Sequence, residues 1–176
     1  MLLAIAVTFA QSSIMSYWEI VLGMIIGGGF GAVAARRVKM TAMPQMVALF
    51  NGVGGGAAAL VSWAEFHRQA PLSGHLKVDI AIAIMLSALI GAISFAGSMV
   101  AFAKLQELIQ GRPITYPAKQ VGNALLFAGS IALAVVAMGS VEFWLLAAAV
   151  GAAALFGIVF VPVSYTHLTL PTTPYV

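Results

Sequence analysis

The sequence predicts an all-α protein: a polytopic transmembrane helical bundle with five full spans and a partial one at the N-terminus. Three observations carry that expectation. Only 7% of the residues are charged while 62% are hydrophobic, and the mean hydropathy is +1.05. Soluble domains carry roughly 25% charged residues. Eight basic and five acidic side chains are too few to clothe a folded surface in water, so lipid or a partner has to cover the rest. Uncharged or nearly uncharged stretches recur at the length of about 20 residues that crosses hydrocarbon. No stretch alternates apolar and polar with period two, as the strands of a membrane barrel do. In lipid the remaining way to satisfy every backbone N–H and C=O is a helix.

The elements follow in order. Residues 1–10 are apolar but too short to cross, and they lack the basic start of a secretory signal. They read as the remnant of a span. Residues 17–35 form the first full span, with one charge, Glu19, near its end. Residues 44–64, 80–103, 121–141 and 143–163 are uncharged and form the other four. Arg36, Arg37 and Lys39 follow the first span, Arg68 and Lys77 the second, and Lys104, Arg112 and Lys119 the third. Alternate loops share a side, so six basic residues oppose two. Basic loops stay inside, which predicts that Arg36, Arg37, Lys39 and the 104–119 loop face the cytoplasm. Trp18, Trp63 and Trp144 then lie near outer ends of spans, as an interfacial aromatic belt does.

Small residues mark where helices touch. Gly23, Gly27 and Gly31 repeat at a spacing of four, and so do Gly52 and Gly56. Close backbone approach is what packs helices in lipid, so a helix seam is favoured over a ligand role. Residues 164–176, SYTHLTLPTTPYV, break the pattern with threonines, two prolines and no apolar periodicity. They read as a non-native tail, and His167 is discounted with them.

Few residues carry chemistry. Residues 52–57, GVGGGA, match a dinucleotide fingerprint, but that motif needs a strand before it and an acidic residue about 20 positions on. Inside a span, Gly52, Gly54, Gly55 and Gly56 point instead to tight packing or to a helix that can flex. Asn51 is an amide in an otherwise apolar span; it can donate and accept, so it suits a proton relay, or equally an interhelical hydrogen bond. Glu65 and His67 sit at the outer end of the same span. Histidine titrates near neutral pH, as a relay needs, although an interfacial pair in a wet loop is the plainer reading; His75 and Asp79 invite the same caution. Ser94 and Ser98, four apart on one face with Gly91 and Ala101, could line a polar path or bond back to their own helix. There is no cysteine and no histidine pair at ligand spacing, so neither a thiol nucleophile nor a metal site is expected. The basic residues lie in short loops rather than a patch, which excludes a nucleic-acid partner.

Residues 39–59, KMTAMPQMVALFNGVGGGAAA, and residues 95–105, FAGSMVAFAKL, closely resemble the membrane domain of the β subunit of proton-translocating NAD(P) transhydrogenase. The glycine-rich helix and basic loop of residues 27–39 fit as well, and the likeness covers roughly residues 15–161. It implies an enzyme complex of the inner membrane that couples hydride transfer between NAD(H) and NADP(H) to proton movement. It implies a soluble α subunit holding NAD(H), an NADP-binding domain beyond this stretch, and a two-fold assembly. It gives this stretch no bound cofactor and no catalysis of its own. Met43, Pro44, Val47 and Asn51 match the first of two family copies of a Met-Pro-x-x-Val-x-x-x-Asn pattern, the second of which would follow soon after Val161. Some members place a functional histidine near the outer end of the span, close to where His67 lies. Arg36, Arg37 and Lys39 would then meet the nucleotide domains. The alternative from the residues alone is a secondary transporter or channel without redox coupling; a purely structural subunit is a third.

Overall fold

The computed structural model describes residues 17–73, 77–109, 119–140 and 142–164. The partial span expected at 1–10 and nearly all of the tail expected at 164–176 lie outside the described residues. Among the described residues, five helices are long and apolar enough to cross a membrane, and there is no strand. The chain forms two compact units, Met1–Met43 and Pro44–Val176.

The first unit holds α1, Tyr17–Arg37, and a short 3-10 turn, Met40–Ala42. Glu19 lies in the first turn of α1 and Arg36 and Arg37 in its last. Each charge complements the helix dipole at its own end. Lys39 is extended, with φ −73° and ψ 149°, and it breaks the path between the helix and the turn. Within its own unit, α1 brings nothing against Gly23, Gly27 or Gly31.

The second unit holds α2 (Met43–Ser73), α3 (Val78–Leu105), α4 (Lys119–Ser140) and α5 (Phe143–Ser164). Pro44 sits in the first turn of α2, where its missing N–H costs nothing. The helix then runs 31 residues, or about 46 Å at 1.5 Å per residue. Hydrocarbon is about 30 Å thick. The expected end at residue 64, followed by a loop, is thus corrected: α2 stays helical past Glu65 and His67. Phe66 is buried in the core on this stretch, and Arg68 and Gln69 both donate to the Glu65 carboxylate, at 2.8 and 2.7 Å. Such i,i+3 and i,i+4 pairs hold a helix end together.

Residues 52–56 are continuous α-helix as well, neither kinked out of the ladder nor unwound. The glycines act by closeness. A Cβ placed on Gly55 would stand 2.8 Å from the Ser94 Cβ and 3.0 Å from the Gly91 carbonyl oxygen; one on Gly91 would stand 2.6 Å from the Gly55 oxygen. Gly52 closes on Met99 and Ser98, and Gly56 on the ring of Phe95. Gly54 faces open space and takes no part in this seam.

On the other side of α3, a Cβ on Gly157 of α5 would meet the Ile93 oxygen at 2.7 Å, and one on Gly97 the Val161 side chain at 3.1 Å. So α2 runs antiparallel and α5 parallel to α3, which is gripped on two faces. The rest of the core is built largely from alanine: Ala88, Ala92, Ala134, Ala137, Ala149 and Ala153 are buried with Phe66, Met85 and Leu146. That composition suits lipid, where association depends on van der Waals contact rather than on release of water. Leu125, Val135, Leu155 and Ile158 point outward, as lipid-facing side chains should.

Candidate functional site

Asn51 lies on α2 beside Gly52, and the glycine seam brings the α3 backbone close enough for its amide to cross. Its Nδ2 donates to Ser98 Oγ at 2.8 Å and to Ser94 Oγ at 3.3 Å. The two serines lie one helical turn apart, and a primary amide has two N–H bonds; the match uses both. Each hydroxyl that accepts from Asn51 keeps its own proton to pass to another acceptor. The three side chains form a hydrogen-bonded chain on two helices apolar enough to cross a membrane, where polar groups are costly unless paired. Asn51 is exposed on the outer side of the seam and the serines are half-buried, so the chain can be reached from one side.

The other expected site residues fall elsewhere. Glu65 is engaged by Arg68 and Gln69 rather than by His67. The ion pair is exposed on its arginine side, so its contribution is small. His67 instead sets its ring 5.6 Å from that of Phe143, and Trp63 meets Phe143 edge-on at 4.7 Å. This aromatic cluster ties the C-terminal part of α2 to the start of α5. The pairing expected of Glu65 and His67 is therefore corrected, because the i,i+3 and i,i+4 partners of Glu65 lie on its own helix face and residue 67 does not. Arg36, Arg37 and Lys39 lie around the end of α1, the two arginines and the lysine all reached by solvent.

Other polar residues of the bundle gave no signal in the sequence. Ser62 is buried and returns its hydroxyl proton to the Ala58 carbonyl. Asn123 is buried near the start of α4. Gln45, in the first turn of α2, donates from Nε2 to the Leu105 carbonyl at 2.8 Å.

That last bond completes a helix end. Glu107 adopts φ 59°, the left-handed region where glycine is usual. Its N–H returns to the Lys104 carbonyl and that of Leu108 to the Ala103 carbonyl, at 3.0 and 2.9 Å. This Schellman closure does not serve the Leu105 carbonyl, and Gln45 does. Gln45→Leu should lower the stability of the full-length subunit by about 1 kcal/mol, the worth of one such hydrogen bond. The measurement is the midpoint of unfolding in detergent, and an unchanged midpoint would dismiss the cap.

The Met-Pro start of α2, its amide at position 51 and two serines on the facing helix thus form one connected element. The family model described as NAD(P) transhydrogenase beta subunit matches residues 1–165. The chain belongs to this family. The curated NAD(P) transhydrogenase subunit beta of Rhodospirillum rubrum is 40% identical over 121 residues, which is 66% of this chain and 26% of that relative. The same subunit from a specified strain of that species matches to the same extent. The chain therefore spans about a quarter of the length of the curated relatives it matches. Membership agrees with an all-helical bundle whose helices are long enough to cross a membrane.

Proposed function

We propose that this chain is the proton-conducting membrane portion of a transhydrogenase β subunit, acting in a complex that couples hydride transfer between NAD(H) and NADP(H) to proton translocation. The observation that carries it is the double donation from Asn51 to Ser94 and Ser98, inside a family described as a transhydrogenase subunit. An amide does not titrate near neutral pH. Its part is to orient hydroxyls and water so that a proton can hop along them; hydroxyls can exchange donor and acceptor roles by rotating.

In this reading the stretch itself holds neither nucleotide. NAD(H) and NADP(H) belong to soluble domains, one on the α subunit and one beyond this stretch of the β subunit. Arg36, Arg37 and Lys39, with the 104–119 loop, face those domains on the cytoplasmic side of an inner membrane. The Gln45–Leu105 bond lies where α2 begins and α3 ends, next to that loop. It connects the face that would feel the nucleotide domains to the amide about 9 Å further in, six residues along the helix. Two αβ units form the working assembly.

The test uses the full-length β subunit with its α subunit in sealed vesicles. Addition of NADPH and an NAD analogue should change the internal pH, and an uncoupler should abolish the change. A solute or proton flux that needs no nucleotide would instead place the chain among secondary transporters or channels.

A further inference from the structure

We propose that Asn123 binds one buried water molecule at the open end of the α4–α5 hairpin, where α4 begins. The site lies apart from the proton path and stands without it. Asn123 is 7% exposed, and its Oδ1 has no hydrogen-bond partner among the described residues. A buried carbonyl oxygen without a donor costs about 1–3 kcal/mol, and native structures rarely leave one unmet. A water meets that need where the site offers it two or more polar partners.

The second set of partners is the first turn of α4. The helix begins at Lys119, so the N–H groups of residues 119–122 have no carbonyl within the helix to bond. Side chains on a helix lean toward its N-terminus, which aims the Asn123 amide back over that turn. A water between them would donate to Oδ1 and accept from a backbone N–H, using both of its faces.

The depth of the site can be counted. Phe127 and Phe156 stack at 5.3 Å across the hairpin. One turn back along α4 is Asn123, and one turn forward along the antiparallel α5 is Phe160. Its neighbour Val161 packs on Gly97 of α3. Asn123 therefore lies level with Gly97 and Ser98, on the α4–α5 side of α3, while Asn51 approaches Ser98 from the α2 side.

The test is a density map of the full-length subunit in its complex, at a resolution that shows ordered water. A water peak within hydrogen-bonding distance of Asn123 Oδ1, lost in Asn123→Leu, is the expected result. Infrared difference spectra give a second reading: a buried-water O–H band that shifts on exchange into H₂¹⁸O in the unmodified complex should be missing in Asn123→Leu, and where that variant does not fold the map of the unmodified complex decides alone. A protein donor seated on Oδ1, or a dry site in the map, overturns the proposal. Because neither readout measures pumping, failure here leaves the proton path untouched, and failure of the proton path leaves this site standing.

Discussion

Asn51→Leu in the full-length subunit is expected to lower nucleotide-driven proton translocation roughly a hundredfold, the order of loss when groups held in line for a transfer are misplaced by about 1 Å. The argument rests on separating function from folding. Leucine keeps the branching of asparagine at Cγ, so the substitution removes the two donations to Ser98 and Ser94 without emptying the position. The stability loss is that of two interhelical bonds, and such bonds in membrane bundles average only about 0.6 kcal/mol each. The bundle should therefore remain folded with its pump stopped. On the proposed function, hydride exchange confined to the soluble domains should continue, because that reading places its chemistry outside this stretch. Ser98→Ala, which removes the shorter of the two contacts, should fall between Asn51→Leu and the unmodified protein, and Ser94→Ala should do less. If Asn51→Leu vesicles acidify or alkalinise at the normal rate, the amide is an interhelical tie and nothing more.

How far the sequence reached depends on which interaction decides each feature. The helical class was legible because hydrocarbon imposes one rule on every residue of an apolar run, and among the described residues five helices are long and apolar enough to cross a membrane. Asn51 was legible because an amide stands out in an apolar run. That Ser94 and Ser98 share a face was legible from their spacing of four. Their meeting with Asn51 was not, because helix periodicity says nothing of the register between two helices; that register is set by where Gly55 and Gly91 let the backbones touch. Gly54 shows the same limit from the other side, since it belongs to the glycine run by sequence and to open space by geometry. The end of α3 was hidden for a different reason: glutamate at position 107, rather than glycine, occupies the left-handed closing position. The extension of α2 past residue 64 was missed because charged side chains mark the end of hydrocarbon, not the end of a helix.

The seam itself supplies the second large effect. Gly91→Ala should destabilise the bundle by about 1–3 kcal/mol, the range for one methyl forced into a packed interior. The new carbon would stand 2.6 Å from the Gly55 oxygen and 2.7 Å from the Ala59 nitrogen. Both are backbone atoms of a helix, so no side chain can rotate away and α2 and α3 must part. Gly54→Ala is the matching control, because it adds the same methyl to the facing helix where nothing lies within 4 Å. Relief of glycine's backbone freedom should leave that variant neutral or slightly more stable. Detergent unfolding of the two full-length variants gives the comparison directly, and equal midpoints would remove the seam from the account. Parting the helices has a second consequence. Ser94 lies one turn from Gly91, so the 3.3 Å contact with Asn51 should lengthen beyond hydrogen bonding before the 2.8 Å contact of Ser98 does. Gly91→Ala should then lose proton translocation out of proportion to its loss of stability, while Gly54→Ala keeps both. On the proposed function, packing and conduction are coupled at this seam because the same glycines that let the backbones touch also set how far the amide must reach.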